Sequence, residues 1–280
     1  MGKGVVLGLV GSPNREGRTH ALVSAALQGA AAAGAPTELV QMADHVVGAC
    51  RDCQPWVCHT NLRCTYDDPN FVYLSEKILN CGALVLGTPV YWWDTSAMVR
   101  YLILKMFRVY ARSSPTRGLP ALGLAVAGGG GNGLISGLRP LYHFFQMMNM
   151  RAVAPVPANR FNFPAALAQA RKRGKALAQM ADGRASFLET DGLAPDAPPY
   201  VLGLEDKLLY YDSLPYLGMS RAEERRLVVE LAVAALPEEA ARDLSGRLSQ
   251  AARLALNGGR REELQELTRV YEAAVRLLGR

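Results

Sequence analysis

Between an apolar run at Val5 to Val10 and an alanine-rich helical pattern that begins near His20, the chain carries Gly11-Ser12-Pro13-Asn14-Arg15-Glu16-Gly17-Arg18-Thr19. A strand, a Gly/Ser/Thr loop and a helix in that order restrict the fold more than any other segment does. The first amide N–H groups of a helix have no partner within it and sit at the positive end of its dipole, so an anion placed there satisfies both. Gly11 and Gly17 let the backbone turn tightly, Ser12, Asn14 and Thr19 supply side-chain donors, and Arg15 or Arg18 supplies charge. The other reading is an ordinary strand-to-helix turn with Thr19 as N-cap. The segment lacks both the Gly-x-Gly-x-x-Gly spacing of a dinucleotide site and the Gly-Lys-Ser/Thr ending of an ATP loop. That leaves the phosphate of a mononucleotide as the favoured occupant.

The alternation continues. A helix from about Thr19 to Ala33 leads past the Gly34-Ala35-Pro36 break to a strand at Thr37 to Val40. After a cysteine-bearing loop, Asp67 and Asp68 precede a helix from about Pro69 to Leu79, and Ala83 to Gly87 reads as a buried strand. Next come a helix from Thr95 to Tyr110, a strand from Ala121 to Ala127, and a helix opened by Gly128 to Gly133 and running to about Met148. A short strand at Ala152 to Ala154 and a basic helix from Ala165 to Ala181 complete the pattern. Short apolar strands joined by helices need crossover connections, which predicts an α/β fold: a flavodoxin-like five-stranded parallel sheet with helices on both faces.

Beyond about Ser186 a stretch rich in Pro and Tyr (Pro195, Pro198, Pro199, Tyr200, Tyr210, Tyr211, Pro215, Tyr216) leads into three helical patterns, Ser220 to Ala235, Pro237 to Leu256 and Arg260 to Leu278. Ser220 and Glu223 have capping-box spacing, Pro237 suits a first helical turn, and Gly258-Gly259 ends the second helix. The expected division is residues 1–185 as the flavodoxin-like domain and 186–280 as a linker with an all-helical C-terminal extension. The extension reads as a bundle packed on the domain, or as a lid or docking surface for a partner.

Composition narrows the function classes. With 280 residues, 50% of them hydrophobic, the chain can bury a full core. No apolar run approaches the roughly 18 residues of a membrane span. Five cysteines and no signal-like start imply a reducing compartment, with the cytoplasm as the expected location. The net charge of +6 is carried by arginines scattered through helices rather than interleaved with aromatics, which argues against nucleic acid. There is no Ser-His-Asp order and no paired carboxylates to support hydrolysis. His143 reads as an ordinary helix residue and Asp94 as a cap for the helix at Thr95, so no catalytic acid or base is nominated.

In parallel sheets of this kind the ligand lies outside the carboxyl ends of the strands, where the strand order reverses. Three unusual loops fall there: Gly11 to Thr19, Thr88-Pro89-Val90-Tyr91-Trp92-Trp93-Asp94, and Gly128-Gly129-Gly130-Gly131-Asn132-Gly133. The second offers apolar planes for a ring system with Pro89 fixing a turn, and the third offers backbone that can approach a flat ring closely. Together they point to a flavin.

These residues carry a resemblance. Gly11-Ser12-Pro13 through Thr19, Gly87-Thr88-Pro89-Val90-Tyr91, and the segment ending Cys64-Thr65-Tyr66-Asp67-Asp68 make residues 3 to 180 similar to the NADPH-dependent FMN reductase family, particularly its iron-sulfur flavoprotein branch. The resemblance implies that Ser12, Asn14, Arg18 and Thr19 hold the FMN phosphate and that Pro89, Val90, Tyr91 and Trp92 line the isoalloxazine. It further implies that Gly129, Gly130, Gly131 and Asn132 contact the other side of the ring. The chain carries Asn14 and Arg18 where the branch commonly carries Arg and Asn, which keeps one cation and one amide. The implied activity is FMN-dependent transfer of electrons from NAD(P)H to a small-molecule or protein acceptor. The alternative is an electron-transfer protein fed by a ferredoxin-like donor through a cysteine-bound cluster. Expected partners are flavin and nicotinamide nucleotides, a redox protein, and further copies of the chain in a homo-oligomer.

Cys50, Cys53, Cys58 and Cys64 place four thiols within one loop. Thiolates so grouped can hold a cubane iron-sulfur (4Fe-4S) cluster or a zinc ion, and a metal-free cysteine loop is the third reading. Between Cys53 and Cys58 stand four residues, Gln54-Pro55-Trp56-Val57, where the iron-sulfur branch has two. His59 is a substitute ligand or a surface residue, and Cys81 reads as a small buried side chain.

Overall fold

The computed structural model describes residues 4–181, 211 and 213–279. Strand β1 (Val6–Val10), buried throughout, pairs in parallel with β2 (Thr37–Gln41) and β3 (Ala83–Tyr91). The short β4 (Asp94–Thr95) returns antiparallel on β3. Next to β3 lies β5 (Pro120–Val126), and β6 (Arg151–Ala152) and β7 (Val156–Ala158) pair in parallel with successive parts of β5. The path β2-β1-β3-β5-β6 is the expected flavodoxin-like order. The single last strand expected at 152–154 is instead two short ones. Between them the Val153 carbonyl accepts from the Tyr142 hydroxyl at 2.7 Å.

Side-chain alternation assigns the two helical layers. Gly8 and Gly87 face Val23 of α1 (Arg18–Ala32), whereas Gly123, in register with Leu86 and so on the other face, meets Tyr142 of α5 (Arg139–Met147). The one-turn α2 (Cys58–Asn61) lies in the cysteine loop, and α3 (Pro69–Asn80) and α4 (Ala97–Tyr110) follow. α1 packs closely on α6 (Phe163–Ala181), and glycines make this approach possible. A Cβ on Gly29 would stand 1.9 Å from the Arg171 carbonyl oxygen, and one on Gly174 would stand 1.8 Å from that of Ala26.

The C-terminal helices α7 (Arg221–Ala234), α8 (Glu238–Leu256) and α9 (Arg260–Leu278) match the sequence reading within a residue or two. The Ser220–Glu223 capping box is formed, and Pro237 is the N-cap of α8 rather than a member of its first turn. Val229, Val233, Leu244, Leu267 and Val270 give the bundle its own core. It docks on the sheet domain through Tyr211, Leu214 and Leu217, which are buried in the main core. Buried Glu224 adds two bonds, accepting from Ile135 N and Ser136 Oγ at 3.0 Å each. Most of the expected linker, with Pro195, Pro198, Pro199, Tyr200 and Tyr210, lies outside the described residues. Among the described residues no helix is long and apolar enough to cross a membrane.

Candidate functional site

The loop Gly11 to Gly17 leaves β1 at its carboxyl end. Gly11 N donates to Gly87 O at 2.8 Å and Ser96 Oγ donates to Gly11 O at 2.6 Å, so the loop is tied to β3 and to the start of α4. Ser12 Oγ accepts from Asn14 N at 3.2 Å, and Asn14 Oδ1 accepts from Glu16 N at 3.1 Å. Ser12 and Thr19 are buried, and Asn14 and Arg18 are exposed. Thr19 is not the N-cap, because α1 starts one residue earlier behind Gly17, which has no side chain with which to cap it. The leading amides of α1 therefore lack a side-chain acceptor, the condition under which a helix N-terminus takes an anion. Arg15 is committed elsewhere, in an exposed ion pair with Asp44 that raises the arginine pKa and lowers that of the carboxyl, in both cases chiefly through the side-chain hydrogen bond. Arg18 lies 5.7 Å from the Phe163 ring centre.

The second segment differs from the expected loop. β3 continues through Tyr91, and Trp92 and Trp93 form a two-residue turn into β4, both at positive φ (55° and 59°). A hairpin of this length needs such angles at both central residues, a place usually filled by Asn-Gly. Two tryptophans there are strained, and Trp92 is 91% exposed. Pro89 fixes no turn but lies in the strand opposite Val126. The cap of α4 is Ser96, which accepts from Val99 N, while Asp94 accepts from Thr95 N at 2.7 Å and pairs with Arg100.

The third loop does not open a helix directly, since α5 begins only at Arg139. Gly129, Gly131 and Gly133 all have positive φ, and the chain passes through successive turns. A Cβ on Gly133 would stand 2.8 Å from Trp93 Cα and 2.9 Å from Val90 Cγ1, so the second and third loops adjoin. Three segments from β1, β3 and β5 thus meet along the carboxyl edge of the sheet, beyond the ends of these interior strands.

Residues that the sequence reading did not nominate also reach this edge. Arg225 of α7 donates to Asn132 Oδ1 at 3.1 Å with its guanidinium 4.4 Å from the Tyr271 ring centre, and Tyr271 of α9 stands against Gly130. Burial pulls the Arg225 pKa down, opposed by Tyr271 and Glu272. Asn159, fully buried after β7, uses Oδ1 to accept from Phe161 N and Asn162 N, while its Nδ2 has no partner. No local motif marks these residues, which lie far along the chain from the loop they touch.

Cys50, Cys53, Cys58 and Cys64 line a single small cavity together with Trp56, Lys105 and Arg108, and none is in a disulfide. Cys58 Sγ lies 3.4 Å from the Arg108 carbonyl oxygen, and Arg108 pairs with Asp52 at 2.7 Å and stacks on Trp56. Lys105 forms a buried ion pair with Asp68, which caps α3 and holds Gly48 N at 3.0 Å at the start of this loop. The residue types suit a thiolate-bound metal. Among the described residues, however, no three of His, Cys, Asp and Glu stand in an arrangement that could hold one. The thiols share a cavity without standing as a ligand set for a single ion. Cys81 lies outside it, with burial pushing its thiol up to about 12.

Comparison with known proteins agrees with this fold. The chain is 33% identical over 98 residues to an iron-sulfur flavoprotein of Methanocaldococcus jannaschii; the match covers 35% of this chain and 49% of that protein, so the chain spans about half the length of its curated relative. Among solved structures it is similar in fold to RosB with bound 8-demethyl-8-formylriboflavin-5′-phosphate (TM-score 0.51, 16% identity, 66% of this chain and 83% of that one). It is also similar in fold to a flavone reductase (TM-score 0.50, 14% identity, 64% and 63%). Residues 5–161, which hold the three converging segments and the cysteine loop, match the sequence profile of the NADPH-dependent FMN reductases, and the chain belongs to that family.

Proposed function

We propose that the chain binds FMN across the edge where the three segments meet and uses it to pass electrons from NAD(P)H to a small-molecule or protein acceptor. The observation that carries this reading is the α1 N-terminus, without a side-chain cap and reached by a loop tied to β3 and α4, beside the aromatic hairpin and the glycine loop. In this reading Ser12, Asn14, Arg18 and Thr19 bind the phosphate, Pro89, Val90, Tyr91 and Trp92 line one side of the ring, and Gly129 to Asn132 approach the other. The chemistry a bound FMN supplies is hydride acceptance and electron release singly or in pairs. The protein's task is to orient ring and donor, which requires no catalytic acid or base. Residues 1–185 serve as the cofactor domain and 186–280 as a linker with the C-terminal helical extension, in a cytoplasmic homo-oligomer. The apolar groove of about 390 Å³ between α4 and α5, lined by Tyr101, Leu104, Phe107, Phe144 and Met147, favours association. Replacing Ser12 and Thr19 together by alanine is expected to weaken FMN binding by about 1–3 kcal/mol through lost donors to a charged group. Titration of the full-length apoprotein with FMN measures this, and an unchanged affinity would count against the phosphate assignment.

A second reading is favoured by the four thiols around one cavity: Cys50, Cys53, Cys58 and Cys64 bind a 4Fe-4S cluster, and the protein relays electrons from a ferredoxin-like donor. Such a cluster supplies one-electron transfer. Anaerobically purified protein is then expected to show a broad absorbance near roughly 400 nm over the flavin bands, lost in Cys53→Ala or Cys58→Ala. Stoichiometric zinc without iron, or four freely alkylated thiols in flavin-loaded protein, would rule the cluster out.

A further inference from the structure

Two hydrogen-bond donors converge on the glycine loop without enough acceptors to meet them. From below, the buried Asn159 Nδ2 has no partner and lies 3.1 Å from where a Cβ on Gly131 would stand; its orientation is fixed because Oδ1 is occupied by Phe161 N and Asn162 N. A buried donor left unpaired is costly and calls for an acceptor. From the C-terminal helices, the partly buried Arg225 spends one N–H on Asn132 Oδ1 and stacks on Tyr271, and among the described residues no carboxylate forms an ion pair with it. Its remaining N–H groups and its charge stand at the same loop.

The ligand that suits such a pair is an acceptor-rich ring edge able to carry negative charge. A neutral flavin that gains a hydride from a nicotinamide nucleotide, two electrons and one proton, holds one negative charge on its pyrimidine ring. We propose that Asn159 and Arg225 recognise that pyrimidine edge and that Arg225 favours the reduced, anionic form, which makes the C-terminal helices part of the cofactor site. The inference rests on the FMN reading above. A cation brought from outside the sheet domain tunes the cofactor electrostatically, since a charge near the ring acts differently on its two oxidation states.

The test uses full-length protein loaded with FMN and measures the affinities for oxidised and reduced FMN and the midpoint potential. Arg225→Gln is expected to lose about tenfold more affinity for the reduced than for the oxidised form, a fall in potential of about 30 mV for two electrons. Arg225→Lys, which keeps the charge, is expected to stay within about threefold of the wild-type ratio. Asn159→Ser is expected to weaken both forms alike, because an uncharged donor does not distinguish them. Arg242→Gln, which removes an equal charge from the exposed face of α8, serves as control. An unchanged ratio in Arg225→Gln, or an equal change in Arg242→Gln, would overturn the inference while leaving the FMN reading intact. Failure of the wild-type protein to take up FMN would remove both.

Discussion

Replacing Asp68 by alanine is expected to cost about 3–5 kcal/mol at neutral pH, because it leaves Lys105 buried without its counter-ion. The two side chains are 9% and 5% exposed, and the carboxylate also accepts from Phe71 N and Gly48 N at 3.0 Å each. Burial alone would push the Asp68 pKa up. The bonds from Lys105, Phe71 and Gly48 outweigh it, and the pKa lies below its ordinary value. A carboxyl whose folded-state pKa is depressed contributes stability above its unfolded value of about 3.9, lost as pH falls through the folded value. The gap between wild type and Asp68→Ala is therefore expected to narrow below about pH 4. Denaturant unfolding at neutral and acidic pH measures both effects. A loss under about 1 kcal/mol at neutral pH would mean that the pair contributes no more than an exposed salt bridge. Since Gly48 leads into the cysteine loop, the variant also reports how far that loop depends on α3 and α4.

Gly174→Ala is expected to destabilise by about 2–3 kcal/mol, although alanine is favoured over glycine within a helix by about 1 kcal/mol. Its Cβ would stand 1.8 Å from the Ala26 carbonyl oxygen, and backbone cannot rotate aside as a side chain can. α1 must then shift on α6, and the N-terminus of α1 closes the loop proposed to hold the phosphate, so FMN affinity is expected to fall with stability. Gly246 supplies the contrast. It lies in α8, where an added Cβ would meet nothing within 4 Å, and Gly246→Ala is expected to stabilise by about 0.5–1 kcal/mol. Thermal unfolding of both variants separates crowding from propensity. Equal shifts in the same direction would contradict the close helix contact.

The parts of the fold legible in the sequence are those where local pattern and packing agree. The apolar runs of β1, β3 and β5 are buried on both faces, and the crossovers between them leave few alternatives to the observed order. Ser220, Glu223 and Gly258 announce helix ends by local chemistry, and those ends lie where expected. The legibility fails where tertiary contacts override local preference. Trp92 and Trp93 are poor turn residues, so the β3–β4 hairpin has no sequence signature, and the apolar pattern alone ends the strand at Gly87. The glycine run extends the approach to α5 because its positive φ values are incompatible with a helix. Capping of α4 passes to Ser96 because Asp94 turns instead to Arg100. At the site, the motif residues come together at one sheet edge. Arg225, Tyr271 and Asn159 are not legible because they reach the glycine loop only through contacts formed across long stretches of chain.

On the proposed reading this edge holds one mononucleotide flavin, with its phosphate at the α1 N-terminus. The most direct measurement is the identity and stoichiometry of flavin released by heat from purified, FMN/FAD-reconstituted full-length protein, separated by chromatography. FMN alone is expected, at about one per chain, because the loop offers the amides of a single helix N-terminus and no diphosphate motif. Recovery of FAD alone, or no bound flavin of either kind, would contradict it.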